Sequence, residues 1–221
     1  MYMYGVSLGA NILTHYLFND DANHPYSGVA TYGTPLCPDT TIAHFKKNMW
    51  GLYDIGLGPS LNLKIREVLP GLAKHSTKKQ MDAYYNGLYN ESWRLSSIDT
   101  HIICPMFGFK DSMEYYTAAR LSGNLHKITK CPVMFLQSWD DILFTRESFP
   151  VDEFKSSPNL LLAMTSGGGH CCHLTNSERK VTGIGAIDWL SWFFPSSNWF
   201  AGPLLDFIDT IEKQHASDAR K

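Results

Sequence analysis

The chain has 221 residues, 44% hydrophobic and 18% charged, with a formal net charge of −2. That composition describes a globular chain large enough to bury a substantial core, and it excludes a disordered one. The 19 basic and 21 acidic residues form no basic stripe, which leaves no electrostatic footprint for a nucleic-acid partner. The longest apolar run, residues 189–194, is far too short to cross a membrane. Five scattered cysteines (Cys37, Cys104, Cys131, Cys171 and Cys172), with no leader ahead of the first motif, read as free thiols in a reducing, intracellular compartment.

In chain order, residues 1–4 read as the tail of a strand. They lead into Gly5-Val6-Ser7-Leu8-Gly9, a Gly-x-Ser-x-Gly pattern. Residues 10–18 read as a helix, with Ile12, Leu13, Tyr16 and Leu17 at helical spacing. Residues 27–32 form a short strand closed by Gly33-Thr34-Pro35. The block from 39 to about 95 is helical and irregular, with breaks expected at Gly56-Leu57-Gly58-Pro59 and at Pro70-Gly71. A capping box at 111–114 starts a helix expected to run to about 121. Residues 132–137 and 159–164 are apolar strands, and 182–194 and 203–213 read as helices. Near-continuous apolar strands alternating with helices predict an α/β fold with a parallel sheet covered on both faces. The block at about 39–125 is too long for a simple crossover and reads as a helical cap inserted into one domain spanning 1–221.

Three stretches carry chemistry. A serine hydroxyl needs a base to take its proton, an acid to orient that base, and donors aimed at the developing oxyanion. Gly5 and Gly9 are expected to let the chain turn sharply, so that Ser7 projects and the Leu8 N–H at the helix start serves as an oxyanion donor. Gln137-Ser138-Trp139-Asp140-Asp141 directly follows a strand and can hold a histidine, although acidic pairs are also common in solvated turns. Gly167-Gly168-Gly169-His170-Cys171-Cys172-His173 follows another strand. Its two histidines and two cysteines suggest a metal, but four consecutive residues cannot all turn towards one tetrahedral ion; no metal and no cofactor is expected. Each stretch alone is a weak signal. Their order, Ser then Asp then His, each just after a strand, is the order of a hydrolase triad.

With these motifs in place, the chain resembles the α/β-hydrolases of the YheT and ABHD type, from Gly5-Val6-Ser7-Leu8-Gly9-Ala10-Asn11 almost to its C-terminus. Ser97-Ile98-Asp99-Thr100, Met106-Phe107-Gly108-Phe109 and Tyr115-Tyr116-Thr117-Ala118-Ala119 resemble elements of that family's cap. Pro132 through Asp140-Asp141 and Gly168-Gly169-His170 resemble its acid turn and histidine loop. The resemblance implies Ser7 as nucleophile, His170 as base and Asp141 as acid, with Asp140 the alternative acid and His173 a poor substitute for His170. It implies hydrolysis of carboxylic esters, with a small-molecule, lipid-like acyl ester as substrate. Animal members are often anchored by an N-terminal membrane segment. Two departures stand out: Ile98 where the family has Phe, and Arg120 where a small residue is common.

In that fold several strands precede the nucleophile, and a loop among them gives the second oxyanion donor. The sequence reading is therefore of a partial α/β-hydrolase fold with its N-terminal strands absent. The Ser7 strand is expected to be a bare edge covered by a missing N-terminal segment or a partner chain. The alternative is a non-catalytic remnant that docks to a partner.

Overall fold

The computed structural model describes residues 1–47, 52–91, 94–171, 173–175 and 197–219. Contacts divide the chain into two compact units. One comprises Met1–Pro35, Leu121–Ile142 and Pro150–Lys221; the other comprises Leu36–Arg120 and Leu143–Phe149.

The first unit is built on a sheet. Strands β1 (Tyr2–Val6), β2 (Gly28–Tyr32), β3 (Val133–Ser138) and β4 (Leu160–Thr165) lie in the order β1-β2-β3-β4, every pair parallel. Parallel neighbours require a crossover. Helix α1 (Leu8–Asn19) returns the chain from β1 to β2, and the short helix Val151–Ser156 lies between β3 and β4. Every residue of β2 and β3 is buried, as expected for central strands covered on both faces. Period-two alternation sorts their side chains. Ala30, Tyr32, Met134 and Leu136 share one face, where Phe200, Leu204 and Phe207 pack on them from the last described helix, Ala201–Asp218, and the turn before it. On the other face Phe135 meets Phe154 edge-on, with ring centroids 5.1 Å apart.

Strand β1 is an edge of the sheet among the described residues. The Ser7 N–H donates to the Tyr32 carbonyl (2.8 Å) and the Ser27 N–H to the Met1 carbonyl (2.8 Å), so odd-numbered residues face β2. By the same alternation Tyr2, Tyr4 and Val6 turn their backbone groups outward. Met3, Tyr4 and Val6 of β1 and Leu8, Ile12 and Tyr16 of α1 are exposed apolar residues. A groove of about 730 Å³ runs along this side, lined by residues that include Tyr4, Val6, Gly9, Ile12 and Tyr16.

The second unit is helical. It contains α2 (Pro38–Lys47), α3 (Leu52–Ala73), α4 (Lys78–Tyr85), several single turns, and α5 (Ser112–Ala118). The expected breaks at Gly56–Pro59 and Pro70–Gly71 do not occur: α3 runs through both prolines. An interior proline costs a helix about 3 kcal/mol, so tertiary ties carry this one. Asp54 accepts from the Ser96 N–H and Oγ–H, each at 2.8 Å, and the Leu88 carbonyl accepts from Asn62 Nδ2 (3.1 Å) and from the Arg66 guanidinium (2.6 Å). Leu69 joins Tyr84, Leu88, Ile98 and Ile102 in a buried cluster.

Helix α5 starts where the capping box lies, with the Glu114 N–H donating to Asp111 (2.9 Å), but Glu114 reaches back to the Lys110 N–H (2.6 Å) instead of that of Asp111. The helix stops at Ala118, short of the expected end, where the Arg120 side chain turns to Asp39 (2.8 Å). Tyr116 of α5 donates to buried Asp99 at 2.5 Å. Burial, followed by the Asp99 charge, raises the Tyr116 phenol above its ordinary pKa; Tyr115 is pushed up to about 12 by burial and the same carboxylate. Two stretches of family resemblance, around Asp99 and Tyr116, therefore meet in one buried hydrogen bond.

The expected helix at 182–194 lies outside the described residues, as do Cys172, Met49 and Trp50 and the side chains of Phe45, Leu52 and Tyr53. The four described cysteines, Cys37, Cys104, Cys131 and Cys171, are free thiols. Among the described residues no helix is long and apolar enough to cross a membrane.

Replacing Tyr116 with Phe deletes the donor to a buried carboxylate. Urea unfolding of Tyr116→Phe is expected to show a loss of about 1–3 kcal/mol. A midpoint equal to that of the parent would mean that the Asp99 contact contributes nothing to the helical unit.

Candidate active site

The site begins at the turn between β1 and α1. Ser7 takes φ 51° and ψ −123°, a strained conformation for a residue with a side chain, in the style of a nucleophile elbow. The turn is possible because α1 comes very close to β1. A Cβ on Gly5 would sit 2.7 Å from the Ala10 Cα and 2.9 Å from its N. Among the described residues a Cβ on Gly9 meets nothing within 4 Å. Gly9 lies in the first turn of α1 beside the groove, so among the described residues close packing demands Gly5 and not Gly9. Buried Asn11 secures the helix start by donating to the Pro35 carbonyl (2.8 Å). Leu8 is the first residue of α1, and its N–H is one of those a helix leaves without an internal acceptor.

Asp141 and His170 come from turns after β3 and β4, at the same carboxyl end of the sheet as Ser7. Ser7 Oγ lies 2.8 Å from His170 Nε2, and His170 Nδ1 lies 2.8 Å from Asp141 Oδ2. The Asp141 side chain is 1% exposed and that of His170 is 20% exposed. Burial pulls the imidazole pKa down, but hydrogen bonds and charges from Asp141 and Cys171 outweigh it and raise the pKa to about 9. The ring is therefore held as an imidazolium beside its carboxylate over a wider pH range than a free histidine.

Asp140, the alternative acid, points elsewhere. It is exposed and accepts from Ser138 Oγ and from the Gly168 and Gly169 N–H groups at 3.3 and 2.8 Å. The Ser138 bond, then those from Gly169 and Gly168, lower its pKa. His173 is buried away from Ser7, with Nδ1 2.6 Å from Tyr32 Oη and Nε2 2.6 Å from Thr165 Oγ1. Burial lowers its pKa, so this ring is neutral at neutral pH. Both nitrogens of each histidine are engaged with different partners, so the two rings do not converge on a shared ion. Among the described residues no cluster of metal-ligating side chains forms.

Gly33 went unnoticed in the sequence except as the end of a strand. It has φ 61°, and a Cβ there would lie 2.3 Å from Cys171 Sγ and 3.3 Å from the His170 ring. Its bare α-carbon is the floor on which the histidine loop sits. The one signal for it was its place at the end of β2, level with Ser7.

No protein-family profile matches the chain. Individual relatives do match. An abhydrolase domain-containing protein of Dictyostelium discoideum is 27% identical over 202 residues, covering 89% of this chain and 48% of that protein. Phospholipase ABHD3 of Homo sapiens is 28% identical over 167 residues, covering 75% and 39%. The monoacylglycerol lipase of Saccharomyces cerevisiae is 26% identical over 211 residues, covering 94% and 42%. The chain thus spans less than half the length of each of these curated relatives. The fold is a parallel α/β sheet with flanking helices, and the proteins to which the sequence is similar are abhydrolase-domain and ABHD3 proteins and a lipase.

The two elbow glycines give a paired test. Gly5→Ala forces a methyl into the α1 backbone and is expected to cost at least about 1–3 kcal/mol. Gly9→Ala is expected to be neutral, or to stabilise by up to about 1 kcal/mol through helix propensity. Thermal unfolding of both variants reads the difference; equal losses would contradict the assignment of the close contact to Gly5 alone.

Proposed function

We propose that this chain carries the nucleophile, acid and base of a serine hydrolase that cleaves carboxylic esters with lipid-like acyl groups. The observation that carries the proposal is the continuous hydrogen-bonded path from Ser7 Oγ through the His170 ring to Asp141. The phospholipase and lipase names of the relatives support the substrate class.

In the proposed reaction Ser7 Oγ attacks the ester carbonyl carbon while its proton passes to His170 Nε2. Asp141 accepts from His170 Nδ1–H and stabilises the imidazolium. The Leu8 N–H donates to the carbonyl oxygen as it becomes negative. Collapse of the tetrahedral species breaks the ester bond, and the alcohol leaves with the proton from His170. Water then gives a proton to His170 and attacks the acyl-serine; collapse releases the carboxylic acid, and Ser7 Oγ leaves with the proton returned from His170.

One oxyanion donor is a partial hole, and a missing donor costs about 10²–10³ in turnover. We propose that the second donor comes from a further segment, on this polypeptide or another, packed along the outer edge of β1. Within the helical unit Tyr84 and Met81 belong to that unit's own core, while Tyr85, Tyr89, Phe107 and Met113 are exposed. A second reading rests on the exposed apolar face of β1 and α1: a non-catalytic subunit whose function is to dock through that face.

A fluorophosphonate probe separates the two readings. Slow labelling confined to Ser7 and abolished in Ser7→Ala supports the hydrolase; no labelling of the folded chain, even with an upstream segment of a relative added, leaves the docking reading. The pH dependence has a definite sign. His170 accepts the serine proton only when neutral, so the labelling rate is expected to be low near neutral pH and to rise through a midpoint near 9. A midpoint at or below the ordinary histidine range would contradict the raised pKa. Among p-nitrophenyl esters, longer acyl chains are expected to react faster than acetyl, and a preference for acetyl would count against a lipid-like substrate.

A further inference from the structure

The histidine loop has to hold His170 within hydrogen-bond reach of two partners, yet it is rich in glycine and locally strained. Gly168 has φ 141°, Gly169 φ 56° and Cys171, which has a side chain, φ 58°. The glycines adopt these angles freely, but Cys171 does so at a cost, and its conformation persists only where the surroundings over-determine it. Two side chains whose hydrogen bonds hold the loop and its flanks, Asp140 and His173, meet that need.

Asp140 is the first. Its carboxylate takes the Gly168 and Gly169 N–H groups, the two donors immediately ahead of His170, and is itself aimed by the Ser138 hydroxyl. The next residue, Asp141, holds the ring of the same histidine. Adjacent carboxylates at the end of β3 therefore grip the loop and the side chain it presents.

His173 is the second. A Cβ on Gly168 would lie 2.3 Å from the His173 ring, so that ring closes against the bare α-carbon. Its hydrogen bonds order its protons. Tyr32 Oη accepts from the His173 N–H (2.9 Å) and is left to donate to Nδ1. Nε2–H then donates to Thr165 Oγ1, whose own proton goes to the Gln137 carbonyl at 3.2 Å. Trp199 stacks on the ring at 5.5 Å. A neutral His173 satisfies every one of these groups.

We propose that Asp140 and His173 are positioning residues that clamp the loop that carries His170, so that Asp140 fixes the reach of His170 to Ser7 through the backbone while Asp141 holds the ring. The proposal rests on the hydrolase reading for its consequence in reactivity, but not for the clamp itself.

The test uses the full chain with Asp140→Ala, Asp140→Asn and His173→Phe, and two readouts. The first is fluorophosphonate labelling of Ser7, resolved into probe affinity and maximal rate and followed across pH. The expected result for Asp140→Ala is at least a tenfold fall in maximal rate with unchanged probe affinity. The pH midpoint should fall towards that of an ordinary histidine as the ring loosens from Asp141. Asp140→Asn keeps one acceptor oxygen for Gly169 and should recover part of the rate. A merely destabilised protein would lose labelled fraction without moving the midpoint. The second readout is hydrogen exchange, by mass spectrometry, of the peptide holding Gly168 and Gly169. It should quicken in Asp140→Ala and in His173→Phe while the β3 peptide stays protected. Wild-type rate, midpoint and exchange in Asp140→Ala would overturn the proposal. If the parent chain is unreactive to the probe with and without the upstream segment of a relative, the hydrolase reading fails, and exchange alone decides the clamp: faster exchange supports it and unchanged exchange overturns it.

Discussion

The site hangs on one missing methyl group. Helix α1 approaches β1 so closely at Gly5 that no other residue fits without a shift of backbone. That approach leaves one residue, Ser7, to reverse the chain from strand to helix, and it does so in a conformation that side chains avoid. The strain is supported on both sides, by the Ser7 N–H on the Tyr32 carbonyl and by the Ala10 and Asn11 N–H groups on the Ser7 carbonyl. The hydroxyl is thereby held out at the end of the sheet, and the first helix N–H stands beside it.

The same device recurs across the sheet. Gly33, at the end of β2, gives up a side chain so that Cys171 and His170 can settle over it, and Gly168 gives one up for His173. Three strand ends in parallel register then bring groups from distant parts of the chain to one place: Ser7 after β1, Asp141 after β3 and His170 after β4. Rigid central strands do the positioning, and the loops between them hold the polar groups. Two adjacent aspartates illustrate the division of work, since Asp141 is buried against the imidazole while Asp140 stays in solvent and grips the loop backbone.

Much of this was legible in the residues. The four strands follow from short apolar runs, and α1 from its helical spacing. Order and the strand before each stretch single out Ser7, the Asp140-Asp141 pair and the histidine loop, and resemblance assigns the roles to Ser7, Asp141 and His170. What stayed hidden depends on contacts distant in sequence. Gly5 and Gly9 look equivalent in the motif, yet among the described residues only Gly5 faces another backbone. The prolines of α3 signal breaks, and only the bonds that Asp54 accepts from Ser96 and that Asn62 and Arg66 donate to the Leu88 carbonyl explain why the helix continues. Gly33 is an ordinary strand terminator until the histidine loop, more than a hundred residues later, is seen to rest on it. Along β1 the side chains of Met3, Tyr4 and Val6 are exposed.

The proposed hydrolase role requires Ser7 to be activated by His170 and Asp141, which are aligned on it. The mass of the Ser7 peptide after fluorophosphonate treatment, compared between the parent chain and Asp141→Asn at the pH of fastest labelling, reads this activation. One probe adduct on Ser7 is expected in the parent, and a rate at least about a hundredfold lower in the variant, which loses the charge that orients the imidazole. An adduct formed equally fast in both, or carried by another serine, would contradict that role.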